Sequence, residues 1–123
     1  MAHDLARLRN LAFIQQSGLC YYCQQPMWQK DIASFALEHS VTLAQARRLQ
    51  CTAEHMIAKV DGGGTNRKNI VAACTFCNSR RHRRTIAPAP APYRNLVQCR
   101  VRAGRWHGFL RKSLEQERVP IRG

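Results

Sequence analysis

Four of the six cysteines fall in two Cys-x-x-Cys pairs, Cys20/Cys23 and Cys74/Cys77, with fifty residues between the pairs. A two-residue gap lets both thiolates of a pair face one ion with sulfur at ~2.3 Å, and two pairs complete a tetrahedron. The spacing therefore predicts one structural Zn²⁺ that ties two distant parts of the chain together. The competing readings are that one pair is coincidental or that the site is a redox dithiol. Cys51 and Cys99 have no partner at that spacing and read as ordinary thiols. The start of the chain (His3, Asp4, Arg7, Arg9) has no signal-peptide hydrophobic core, and no apolar run reaches the ~18 residues of a membrane span. Reduced thiols in a soluble, cytoplasmic protein with no membrane partner are the expectation.

The segments between and around the pairs read as short elements. Leu5, Leu8, Leu11 and Ala12 mark one face of an amphipathic helix over residues 3–16, ended by Gly18. Residues 31–50 form a helical insert of two pieces, about 31–39 and 43–50, with Thr42 capping the second. A helix-turn-helix that reads DNA is one use of such a pair, although Ile32, Phe35 and Ala36 look like packing surface. Residues 51–57 predict a strand, 58–68 a Gly-rich loop, 69–73 a second strand and 75–84 a helix that begins on the second cysteine pair. Proline then alternates with alanine over residues 87–92, which predicts a stiff extended linker after the core ends. The domain division follows: a core over 1–86, the linker 87–92 and an arginine-rich extension over 93–123.

At 123 residues the chain has room for one compact domain, and its formal charge of +13 makes the surface repel itself unless a polyanion or bound anions offset it. From Arg80 onward there are 12 basic and 2 acidic residues, so +10 of that charge lies in the last third. An arm that follows phosphates is the natural reading, with nucleic acid as partner.

A second constellation sits on the same framework. Glu54 and His55 close the first predicted strand, Asn69 opens the second fourteen positions after His55, and Asn78 follows the last cysteine on the helix. Asn78 and His82 are four apart and share a helix face. Hydrolysis of a phosphodiester needs a water relieved of its proton and a stabilised leaving oxygen. An imidazole near pKa ~6.5 suits the first task and a divalent cation the second. The run Arg80, Arg81, Arg83 and Arg84 would hold flanking phosphates of DNA, and Gly62–Gly64 would let the loop approach a nucleic-acid backbone. Taken singly, each of these residues reads as an ordinary strand, cap or surface residue, and His3, His39 and His107 are left in that class.

The string CTAEHMIAKVDGGGTNRKNIVAACTFCNSRR, with the Cys20/Cys23 pair, resembles the HNH endonuclease motif of the ββα-metal nucleases, in the subclass bracketed by two CxxC knuckles. The resemblance covers about a third of the chain and leaves the insert and the basic tail outside. It implies an α+β fold, a ββα-metal HNH core with a structural four-cysteine zinc knuckle and flanking helices. It further implies that His55 is the general base and that Glu54 and Asn78, with His82 as a further imidazole, hold a catalytic divalent ion. Asn69 would pin the loop that positions the base. The last motif letter is Asn where His is common, and Glu54 stands where Asp is more usual. Both leave mainly oxygen donors, which favours Mg²⁺ or Mn²⁺. Double-stranded DNA, cut to a 5′-phosphate and a 3′-hydroxyl, is the implied substrate. The rival reading is a non-catalytic zinc module that binds nucleic acid.

Overall fold

The structure is a computed structural model that describes residues 2–110, with side chains from residue 4. Helix α1 (Ala2–Gln15) turns Leu8 and Ala12 inward and ends where Gly18, at φ 75°, bonds back to the Phe13 carbonyl. The left-handed angle is one that glycine adopts without a Cβ penalty. Just past the helix, the Gln16 amide bonds both the N–H and the carbonyl of Ala72, at 2.9 and 2.8 Å, covering the free edge of the sheet.

The insert forms α2 (Ile32–His39) and α3 (Leu43–Arg47). Asp31 caps α2 through the Ser34 N–H, and Thr42 with Gln45 forms a reciprocal capping box on α3. Phe35, Ala36, Ala46 and Leu49 are buried, so the insert packs on the core. Five-residue α3 is short for a helix that would lie along a DNA groove.

Strands β1 (Cys51–His55) and β2 (Ile70–Cys74) pair antiparallel, with Cys51 opposite Cys74 and His55 opposite Ile70. The mixed helices and two-stranded antiparallel sheet are the α+β arrangement expected from the sequence. Helix α4 (Thr75–Arg81) follows β2 directly, with Cys74 as N-cap, its sulfur accepting from the Cys77 N–H at 3.4 Å. It is shorter than the 75–84 reading, with His82 as its C-cap, so Arg83 and Arg84 leave the helix.

The extended linker expected over 87–92 is cut short: Ala89 is extended, but a helix begins at the next residue. Pro90 begins helix α5 (Pro90–Arg102), with proline in its first turn. The first turn of a helix has N–H groups without intrahelical partners, so a proline there loses no bond and its fixed φ suits the helix. The core does not end before this segment either. Tyr93 and Val97, four apart on α5, are buried, as are Trp106 and Leu110 beyond it, and all four join the cluster that includes Tyr22, Leu49 and the zinc-spaced cysteines. Among the described residues no helix is long and apolar enough to cross a membrane. The basic residues of 111–123 lie outside the described residues.

Candidate active site

The two cysteine pairs meet. All four sulfurs of Cys20, Cys23, Cys74 and Cys77 lie within 4.8 Å of one another, and all four residues are buried. A tetrahedron with Zn–S of ~2.3 Å has edges of about 3.8 Å, and Cys23 and Cys74 are 3.9 Å apart. Burial opposes ionisation of Cys20, yet hydrogen bonds from the other three cysteines outweigh it and hold that thiol well below its ordinary value. Cys23, hydrogen-bonded to Cys20, and Cys77, chiefly through burial, are pushed up. These ligands fit a structural zinc ion.

Two residues from the segment read as a basic arm complete this knuckle. The Trp106 indole N–H donates to the Cys77 sulfur at 3.2 Å, and His107 Nε2 lies 3.5 Å from the Cys74 sulfur. Burial pushes the His107 imidazole down to about 4, so the ring is neutral near pH 7. Its Nδ1 is buried without a hydrogen-bond partner among the described residues. A thiolate accepts, so the tautomer with hydrogen on Nε2 satisfies the sulfur and leaves Nδ1 as an unpaired acceptor. Neither residue carries a spacing signal, and an aromatic pair after a helical Tyr93/Val97 face is the clue the sequence offers.

The end of β1 and the end of α4 converge on one buried carboxylate. Glu54 is only 2 % exposed; its Oε2 accepts from the Tyr22 hydroxyl and from Arg81, both at 3.0 Å, and its Oε1 lies 2.9 Å from His82 Nε2. Arg81, expected at the phosphate-facing surface, is 3 % exposed and points inward. Its guanidinium also donates to the His55 carbonyl (3.0 Å), the Met56 carbonyl (2.9 Å) and the Pro88 carbonyl (2.9 Å). A buried carboxylate calls for such a charge partner, and position 81 is the turn of α4 that faces it. Arg81 is therefore withdrawn from the phosphate-binding set, whereas Arg80, Arg83 and Arg84 are exposed.

His55 stands next in the strand, partly exposed, with Nε2 3.2 Å from the Thr65 hydroxyl. Burial and the nearby Lys59 lower its pKa below the ordinary value, against a smaller opposing pull from Glu54. Asn69 closes the loop in between: its Oδ1 accepts from the Ile57 N–H at 2.8 Å, and its amide donates to the carbonyls of Ile57 and Gly64 at 3.0 and 2.9 Å. The Gly-rich run has an internal reason as well. A Cβ on Gly63 would lie 1.7 Å from the Ile57 carbonyl oxygen. Asn78 points its amide nitrogen at the Thr52 hydroxyl (3.0 Å), toward the Glu54 strand; among the described residues its side chain has no hydrogen bond with Glu54, His55 or His82, and only its backbone carbonyl accepts from the His82 N–H at 3.3 Å.

A family model described as HNH endonuclease matches residues 20–84, more than half of the 123-residue chain. The chain belongs to the HNH endonuclease family. Neither a curated protein nor a solved structure gave a match. The HNH match opens on the first zinc-spaced cysteine and closes on Arg84, so it spans both cysteine pairs and the Glu54 cluster while α1 and α5 lie outside it. Proteins of the HNH family bind nucleic acid, typically as nucleases, and the exposed arginines after α4 suit that class of partner. Glu54 Oε1 and His82 Nε2 are donors at this end of the sheet that could hold a divalent ion, while the Asn78 amide bonds farther back along β1, at Thr52. The set fits such an ion in kind, because Oε2 is committed to Arg81 and Tyr22 while Oε1 meets an imidazole that is about one-third exposed.

Proposed function

We propose that the protein is a metal-dependent endonuclease that hydrolyses DNA phosphodiester bonds, double-stranded DNA being the preferred substrate. The observation that carries this reading is the meeting of Glu54 and His82 at 2.9 Å directly beside His55, at the end of a helix whose first turn is anchored by the cysteine cluster. A divalent ion, Mg²⁺ or Mn²⁺, held by Glu54, Asn78 and His82, would supply charge stabilisation at the scissile phosphate and its leaving oxygen.

His55 accepts the proton of the attacking water. Its lowered pKa keeps the ring neutral, and so able to accept, near pH 7. The water oxygen forms a bond to phosphorus as the bond to the 3′ oxygen breaks, leaving a 5′-phosphate and a 3′-hydroxyl. Thr65 holds the imidazole, and Asn69 fixes the loop on which Thr65 follows. Arg80, Arg83 and Arg84 hold the flanking phosphates. Four thiolates on zinc suit the reducing cytoplasm, where we place the protein.

One observation favours a second reading. Glu54 is buried beneath Arg81 and Tyr22, as a purely structural carboxylate would be, which is what a non-catalytic nucleic-acid-binding zinc module requires. Incubation with supercoiled plasmid separates the two. The wild type should nick or linearise DNA with Mg²⁺ or Mn²⁺, and His55→Ala should lower the rate about 10²- to 10⁴-fold while retaining DNA binding. Absence of cleavage by the wild type with any divalent ion, or cleavage indifferent to chelation, sinks the nuclease reading.

A further inference from the structure

A cavity of about 290 Å³ opens between the end of α4 and helix α5, separate from the Glu54 cluster. Four arginines line it, Arg80, Arg83, Arg84 and Arg100, and among the described residues no Asp or Glu does. The ion pairs of the described residues that join a carboxylate to a base engage none of these four. The floor is apolar. Trp106 and Tyr93 line it with their polar atoms turned away, the indole N–H to the Cys77 sulfur and the hydroxyl to the Cys77 carbonyl at 2.6 Å. What borders the cavity is therefore carbon, from two rings that are each 5 % exposed and from Leu96, 40 % exposed. Arg80 and Arg100 already lie over the indole, at 5.8 and 5.9 Å from its centroid.

A cationic rim above an aromatic floor suits a ligand that is anionic at one end and flat at the other. Small-ligand sites run ~300 to 1,000 Å³, so this cavity takes something about the size of one nucleotide, well short of a stretch of duplex. We propose that it receives a single unstacked nucleotide of the bound nucleic acid, its base against Trp106 and Leu96 and its phosphates on Arg83, Arg84 and Arg100. The proposal rests on the reading of the protein as one that acts on DNA. It adds that the substrate carries an unpaired nucleotide near the cut, at a bulge, gap or flap, where exposing a base costs least.

The test is a binding comparison on the full chain loaded with zinc, without added Mg²⁺ or Mn²⁺, by anisotropy of two labelled duplexes equal in length and sequence except for one bulged nucleotide. The bulged duplex should bind about tenfold more tightly, the scale of one base–aromatic stack. Leu96→Trp, which fills the cavity from an exposed position, and Leu96→Asp, which sets a carboxylate in it, should each bring the ratio close to one. Equal binding of the two duplexes by the wild type, or a preference that survives both substitutions, overturns the cavity assignment and leaves the nuclease reading standing. Failure to bind either duplex at low salt overturns both.

Discussion

Arg81 shows how much one side chain can hold. It neutralises Glu54 and ties the end of β1, through the His55 and Met56 carbonyls, to Pro88 at the entry to α5. Removal of one partner of a buried ion pair leaves an uncompensated charge, which costs about 3–5 kcal/mol. Arg81→Met should therefore lower unfolding free energy by about that amount in urea titration, whereas Arg83→Met, at an exposed position, should change it by less than ~0.5 kcal/mol. A loss for Arg81→Met no larger than that for Arg83→Met would count against the pairing. From sequence alone the two arginines are alike, members of one basic run. Which of them turns inward depends on where Glu54 lands across the sheet, and only tertiary placement decides that. Glu54, His55 and Asn69 are legible because their separations along the chain are fixed by two strands and one loop. Trp106 and His107 are not, since they reach the knuckle through three-dimensional packing of α5 and carry no interval of their own.

At the scale of elements, the loop between β1 and β2 and helix α5 make contrasting cases. Asn69 stitches the loop, and Gly63 lies so near Ile57 that a methyl group there would clash with backbone, whereas at Gly64 it would meet only the end of the Asn66 side chain, 2.9 Å away. Gly63→Ala should lower both the melting temperature and plasmid cleavage, and Gly64→Ala should leave the melting temperature close to wild type; comparable losses at the two positions would refute the distinction. From sequence the glycines read as room for substrate; the clash at Gly63 shows that the chain itself uses part of that room. In α5, proline alternation masks a helix. The residues that reveal it, Tyr93 and Val97, stand four apart just past the prolines and are both buried. Val97→Ala should cost about 2 kcal/mol in the same titration, with cleavage retained at temperatures where the protein is folded. A cost near zero would restore the linker reading.

The whole molecule is closed by the cysteine cluster. Its ligands come from residues 20–23 and 74–77, and the two strands, five residues each, make a sheet too small to stand alone. Structural zinc contributes ~10 kcal/mol or more in small domains. Removal of zinc with a strong chelator should abolish the folded circular-dichroism spectrum and restore it on readdition, while Mg²⁺ alone should not. One zinc per chain by elemental analysis is expected, and a fold that survives complete zinc removal would contradict the centre. With charge +13, affinity for DNA should fall steeply and linearly in log–log form as salt rises. A flat slope would exclude the basic surface as the binding face. The cysteine spacing alone makes this closure readable, because a metal ligand set leaves a regular mark in sequence that aromatic packing does not.

The Trp106 indole against the Cys77 sulfur has a bearing on how the chain is made. Synthesis runs from the N-terminus, so the sulfur-bearing segments emerge before the rings that cover them. Until residue 106 has left the ribosome, metal bound by a nascent chain sits in a half-open cup exposed to water and to competing thiols. The later arrival of the aromatic cover seals it, so closure of the knuckle trails capture of its ion.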